Sequence, residues 1–190
     1  NSIIQGGSVK YSSQFNWETH IIKDDKTLNA FCTPGGKIYV YTGLIKFLDS
    51  EDELMGVLGH EIAHADCRHS TAQLTKQYGI AFLADALLGN KAALNQIAKT
   101  LVGGVAGLSF SRVNESEADS KSVQYLCSTS MNAAGAAGFF KKMEGQKQPP
   151  TWLSTHPNPT NRIANIEKKA QELNCSGSQT NTATYTKMKA

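Results

Sequence analysis

The sequence predicts a mostly helical α+β domain carrying a small sheet. Three observations support that class. A helix-start signal at Ser50 leads into apolar residues at helical spacing, a β-branched and aromatic run follows the turn Pro34-Gly35-Gly36, and residues 71–108 are rich in Ala, Leu and Gly. With 190 residues, 40% of them hydrophobic, the chain has apolar surface for the core of one domain, two at most. Only 18% of residues are charged, which excludes a disordered chain, a coiled coil and a collagen-like repeat. The net charge is a mild +3, and no basic run exceeds two residues. Nucleic acid is therefore not an expected partner. Residues 1–175 are expected to form the single domain, and 176–190 a flexible tail.

Taken in order, residues 1–19 mix polar with isolated apolar side chains and predict an N-terminal helix or arm. Ile21 and Ile22 lead to a turn at Asp24-Asp25. Leu28 to Cys32 reads as a strand, and Lys37 to Tyr41 as its hairpin partner, closed at Thr42-Gly43. Ser50 with Glu53 three residues on is a capping box. Leu54, Val57, Leu58, Ile62 and Ala65 then recur at helical spacing, so a helix should run from about Glu51 to His69 or beyond. Gly89-Asn90 divides the next stretch into two helices. Phe110 to Cys127 and Asn132 to Met143 read as helices, the second stopped by Pro149-Pro150. Thr155 to Pro159 is a proline-stiffened loop, Thr160 caps a last helix to about Leu173, and the Ser/Thr/Asn-rich end predicts a loose tail.

No apolar stretch reaches the roughly 18 residues that span a bilayer. Tyr78 to Leu88 carries Asp85, and Leu101 to Phe110 is too short, so the chain itself is expected to be soluble. It begins at Asn1 rather than Met, and membrane association through a preceding signal or lipid-anchor segment stays open. The cysteines Cys32, Cys67, Cys127 and Cys175 form no CxxC pair, which excludes a zinc knuckle or thioredoxin motif. Two disulfides would imply an oxidising compartment, four buried thiols a reducing one.

The segment His60-Glu61-Ile62-Ala63-His64 is an HExxH on a predicted helix. Residues four apart share a helix face, so both imidazoles can reach one zinc ion, with Glu61 beside the site of an attacking water. In a shuffled chain of this composition the pattern arises only about 0.005 times, which makes chance a poor explanation. Catalytic zinc usually takes a third protein ligand. Ser70 stands where a third histidine six residues after His64 would be, and His69, about 140° round a continuous helix, reads as structural. Glu115 and Asp119 share a face of a later helix. Glu115 is a candidate ligand, and Asp119 a candidate partner for the second ring nitrogen of a ligand histidine. Glu117, about 200° from Glu115, reads as solvated.

HExxH followed by Glu115-Ser116-Glu117-Ala118-Asp119 resembles the zinc metallopeptidases of the CAAX prenyl protease and HtpX type. The likeness extends to Asn29-Ala30-Phe31 with Pro34-Gly35-Gly36 and Thr42-Gly43-Leu44, to Ser111-Arg112, and to His156-Pro157 with Arg162-Ile163, covering roughly Leu28 to Ile166. It implies one zinc held by His60, His64 and Glu115, with Asp119 behind them. Lacking the hydrophobic helices of membrane-spanning members, the chain resembles the family's soluble periplasmic or lipoprotein branch. Glu61 would act as general base and then acid. His156 is the candidate donor to the oxyanion, on a loop that resembles a gate, and Arg162 would anchor that loop or bind the substrate backbone. Polypeptide substrates would pair with an edge strand at Asn29, Ala30 and Phe31. The family geometry also implies bridges Cys32–Cys67 and Cys127–Cys175. The expected function is zinc-dependent cleavage of unfolded or misassembled proteins in envelope quality control. A latent protease acting mainly as a chaperone or assembly factor is the alternative, and a zinc hydrolase of non-peptide amides a weaker one.

Overall fold

A computed structural model describes residues 1–102, 109–144, 146, 151–158 and 160–189. The Pro149-Pro150 stop and Pro159 lie outside the described residues, as does most of Leu101 to Phe110. In chain order the elements are α1 (Ser2–Gln5), β1 (Glu18–Ile22), β2 (Ala30–Cys32), β3 (Lys37–Tyr41), α2 (Thr42–Phe47), α3 (Glu51–Asp66), α4 (His69–Leu87), α5 (Lys91–Val102), α6 (Arg112–Cys127), α7 (Gly135–Glu144), α8 (Trp152–Thr155), α9 (Arg162–Glu172) and α10 (Thr182–Lys189). The fold is a mostly helical α+β domain, as expected. Among the described residues, no helix is long and apolar enough to cross a membrane.

The expected hairpin forms, with β2 antiparallel to β3 in the register Ala30 to Val40. A third strand was missed. β1 pairs parallel with β3, giving the order β1-β3-β2. Its residues alternate between half-buried and exposed, so its sequence carries little of the apolar signal that marks a buried strand.

Helix α3 lies in the middle of the helical layer. Gly56 and Gly59, one turn apart, let it approach its neighbours closely. A Cβ at Gly56 would stand 2.7 Å from the Ala136 Cα on α7, and one at Gly59 would stand 2.7 Å from the Ser122 Oγ on α6. Ser122 also donates to the Gly56 carbonyl at 2.8 Å, which draws α6 against α3. The expected Ser50–Glu53 capping box does not form. Glu53 accepts from the Asp49 N–H at 2.8 Å, while the Ser50 hydroxyl bonds Asp52.

The long helix expected to reach His69 ends at Asp66, because Arg68 adopts a left-handed conformation with φ 61°. Asp66 is itself buried and accepts from the Lys10 and Tyr11 N–H groups and the Tyr125 hydroxyl at 2.7–3.1 Å. That contact pins the N-terminal arm. Later boundaries move slightly: α6 starts after a Ser111–Asn114 capping box, and α9 starts after Asn161 in a left-handed conformation rather than at Thr160.

The tail expected to be loose is structured. Gln179 pairs with Ser130 and Asn132, and Thr180 accepts from the Glu51 N–H. α10 buries Tyr185, whose hydroxyl bonds the Ile45 carbonyl at 2.8 Å. One aromatic anchor and backbone pairing hold a segment of otherwise polar composition. Of the expected bridges, Cys127–Cys175 is formed and fastens the end of α6 to the residues after α9. Cys32–Cys67 is not. The Cys32 thiol turns to the Thr33 carbonyl and Cys67 groups with His69 and Glu117, so the two sulfurs face different neighbours.

Candidate metal centre

Helix α3 presents His60 and His64 on one face, with their Nε2 atoms 3.0 Å apart. Across the close α3–α6 contact stands Glu115. Its Oε2 is 3.4 Å from His60 Nε2, and its Oε1 is 3.3 Å from His64 Nε2. The fourth member is His156, which follows α8. Its Nδ1 lies 3.1 Å from Glu115 Oε1 and 3.4 Å from His60 Nε2. A tetrahedral ion with bonds of about 2.0–2.1 Å has ligand atoms about 3.3–3.4 Å apart, so these four donors fit around one metal. All four residues are at most 1% exposed.

Sequence reasoning brought His60, His64, Glu61 and Glu115 to one place, and the structure juxtaposes them. His156, expected beside the site, stands in the ring of candidate ligands itself. Glu61 is also buried, with His156 Nε2 3.6 Å from its Oε1, and that oxygen has no hydrogen-bond partner. An orphaned buried carboxylate oxygen is costly, and a water beside a metal would relieve it. Burial pushes the Glu61 carboxyl up to about 8. Burial likewise holds His156 down, at about 4, and His64 well below the usual imidazole range. At His60 burial also lowers, but Glu115 and Asp119 outweigh it and bring the group to about 9. Burial raises Glu115, yet the His60 and His156 rings overcome it and leave the carboxylate ionised.

Asp119, one turn after Glu115, accepts from His60 Nδ1 at 2.8 Å, which leaves His60 Nε2 free to ligate. Arg162 grips the same carboxylate through Nε and Nη2, both at 2.8 Å, reaches Glu115 at 3.0 Å, and stacks over the Phe140 ring at 3.7 Å. It is 3% exposed. Expected to anchor the loop or bind the substrate backbone, Arg162 here turns inward to the two carboxylates. Its guanidinium pairs with both buried carboxylates and adds its charge to that of His60 between them.

The edge strand adjoins the site but is covered. Asn29 and Ala30 are buried and Phe31 is half-buried against Tyr39. The Ser70 hydroxyl donates to the Cys32 carbonyl at 3.2 Å, the Trp152 backbone N–H donates to the Leu28 carbonyl at 3.1 Å, and the Cys32 backbone N–H serves Glu61. A cavity lined by Asn29, Phe31, Cys32, Ser70 and His156 reaches Glu61.

Three residues escaped the sequence reading. Phe110 stacks on His64 at 3.8 Å and Trp152 on His156 at 4.0 Å, walling the centre with rings. Aromatic residues beside a metal motif carry no spacing signal. His69 is the third. The helix break at Arg68 brings its Nδ1 to 3.1 Å from His64 Nδ1, and its Nε2 to 3.3 Å from Glu117, which the local reading left in solvent. The helix breaks at Arg68, yet His69 stays outside the His60, His64, Glu115 and His156 cluster and buttresses His64, in keeping with its reading as structural.

The model of peptidase family M48 matches residues 3–170. The chain is 32% identical over 165 residues to the mitochondrial metalloendopeptidase OMA1 of Schizosaccharomyces pombe, covering 85% of this chain and 49% of that protein. It is 30% identical over 168 residues to the beta-barrel assembly-enhancing protease of Yersinia pestis, covering 81% and 34% respectively. It is also 30% identical over 172 residues to the human mitochondrial metalloendopeptidase OMA1, covering 82% and 33%. The chain thus spans between a third and a half of the length of these relatives. With a buried His-His-Glu-His cluster that fits one metal and a match running through nearly all of its length, the chain belongs to peptidase family M48 and carries its metallopeptidase domain.

Proposed function

We propose that this domain is a zinc-dependent endopeptidase that hydrolyses peptide bonds of unfolded or misassembled proteins. His60, His64 and Glu115 would hold the ion. The observation that carries the reading is the convergence of four residues whose neighbouring ligand atoms approach to 3.0–3.4 Å, beside the partnerless Glu61 Oε1.

Zinc in this place would supply a Lewis acid and make a bound water acidic near neutral pH. Glu61 takes the proton of the attacking water on Oε1 and returns it to the leaving amine. Asp119 holds His60 in the ligating tautomer, and Arg162 holds Asp119. His156 has two positions in this reading. In the closed arrangement its Nδ1 would be a further ligand to the ion beside His60, His64 and Glu115. Displaced with its loop, the ring serves as a donor to the oxyanion. The substrate pairs as an extended strand along Ala30 and its neighbours once the Ser70 and Trp152 bonds to that edge are released, so flexible chains are favoured over folded ones.

A second reading rests on the same burial. With every candidate ligand at most 1% exposed and the edge strand covered, a resting domain would be latent and could act mainly in capture or assembly of envelope proteins. Relatives bear the names beta-barrel assembly-enhancing protease and mitochondrial metalloendopeptidase, and the Cys127–Cys175 bridge suits an oxidising compartment. We place the protein in the periplasm or cell envelope, with a lipid anchor outside this chain as one means of attachment.

The test compares wild type with Glu61→Gln on a denatured and a rigid folded protein. The variant should keep one zinc per chain and lose activity by about 10²–10⁴-fold. Loss of zinc from the variant would overturn the assignment of Glu61. Equal cleavage of folded and denatured substrate would overturn the edge-strand mode. Partner capture that persists in a wild-type domain unable to cleave denatured protein would favour the second reading.

A further inference from the structure

On the far side of His64 from the candidate centre, three more ligating side chains converge. The left-handed turn at Arg68 swings His69 back over His64. His69 Nε2 lies 3.3 Å from Glu117 Oε2, and one donor atom from each of Cys67, His69 and Glu117 lies within 4.8 Å of the others. Cys67 is a free thiol, partly exposed, and the Glu117 side chain is 49% exposed. The cluster is therefore open to ions from solvent, unlike the buried centre beside it. We propose that Cys67, His69 and Glu117 form a second divalent-metal site for a thiophilic ion, and that filling it works against the first.

The donor set fits this assignment. Thiolate, imidazole and carboxylate together suit zinc or cobalt, and three protein ligands leave one position for water. The 3.3 Å spacing of nitrogen and oxygen is the ligand edge of a tetrahedral site. A modest turn of the exposed Glu117 and the partly exposed Cys67 side chains closes the remainder, because neither is locked in the core.

The coupling follows from the two Nδ1 atoms that face each other at 3.1 Å. At that distance one nitrogen must donate and the other accept. With His69 Nε2–H donating to Glu117, His69 Nδ1 accepts from His64 Nδ1–H, and His64 Nε2 keeps its lone pair for the first centre. A metal on His69 Nε2 reverses the arrangement. His69 then carries its proton on Nδ1 and donates it to His64 Nδ1, so neutral His64 carries its own proton on Nε2, the atom beside His60 and Glu115. The balance is one thiol proton released from Cys67 to solvent for each ion bound.

The effect on proteolysis rests on the function proposed above, whereas the site itself does not. Protein loaded with one equivalent of zinc is titrated with cobalt, and the thiolate-to-cobalt charge-transfer band is followed. The first centre has only nitrogen and oxygen donors and cannot produce that band. The band is expected in wild type and in Cys32→Ser, absent in Cys67→Ser, and in Glu117→Gln to need about tenfold more cobalt. Cleavage of a denatured protein should fall several-fold as the band grows in wild type, and stay constant in Cys67→Ser. Absence of the band, its survival in Cys67→Ser, or its loss in Cys32→Ser overturns the site. A full band with undiminished cleavage overturns the coupling. A Cys67-dependent band in a domain that never cleaves upholds the site and counts against the proposed peptidase activity alone.

Discussion

Replacing both Cys127 and Cys175 with serine should cost the domain about 4 kcal/mol of stability. The bridge joins residues separated by 48 positions. In the chain-entropy treatment, closing a loop of that length removes about 14 cal/mol/K from the unfolded chain, or about 4 kcal/mol at 25 °C. The folded side changes little. α9 keeps its hold through Arg162 on Asp119 and Glu115, and through buried Ile166. Against a total stability of about 5–15 kcal/mol, the double variant still folds, but with a margin cut by a quarter or more. At this chain length about 2–4 °C accompanies each kcal/mol, so Tm should drop by about 8–16 °C. Thermal unfolding followed by far-UV circular dichroism measures this directly. Reductant should lower wild type to the level of the variant and leave the variant unmoved, because Cys32 and Cys67 form no bridge. A drop below about 2 °C, or a further loss when the variant is reduced, would refute the reasoning.

The other predictions concern the supports of the centre. Asp119→Asn should weaken metal binding about 10–100-fold by loosening His60, as read by competition with a chelating dye; unchanged affinity would remove Asp119 from that role. Gly56→Ala should destabilise by about 1–3 kcal/mol despite its better helix propensity, since the added Cβ meets the α7 backbone at Ala136, and denaturant midpoints will measure it. Truncation after Cys175 exposes the pocket of Tyr185 and should cost about 2–3 kcal/mol; an unmoved midpoint would mean that α10 adds nothing to the fold. Removing metal with a chelator should lower Tm of the loaded protein and abolish cleavage of denatured substrate together, and readdition of zinc should restore both.

The difference between what was legible and what was not lies in the range of the forces involved. His60, Glu61 and His64 could be read from the chain because helix geometry alone puts residues four apart on one face. The β2–β3 hairpin was legible for the same reason, since a Pro-Gly-Gly turn leading into a β-branched and aromatic run is a local signal. Glu115 and Asp119 share a face by the same rule, but that this face meets His60 was an inference from family resemblance. In the structure it depends on Gly56, Gly59 and Ser122 bringing α6 against α3.

Other features belong to tertiary structure entirely. One left-handed residue, Arg68, ended α3 early and turned His69 from a bystander into the partner of His64. No propensity marks that break, because a left-handed arginine costs about 1–3 kcal/mol locally and persists only where the surrounding packing outweighs it. Arg162 was legible as important but not as buried, since only the convergence of Glu115 and Asp119 makes a buried cation favourable. α10 is held by the Tyr185 and Lys189 side chains on α2 and the residue after it, and the segment before it by a few backbone bonds, which leave no periodic trace in a Ser/Thr/Asn-rich stretch. The sequence by itself determined the metal motif and the helical class, because both follow from spacing within a few turns. Which histidines and carboxylates meet, and which thiols bridge, was decided only by the folded chain, where residues 48 and more positions apart are brought into contact.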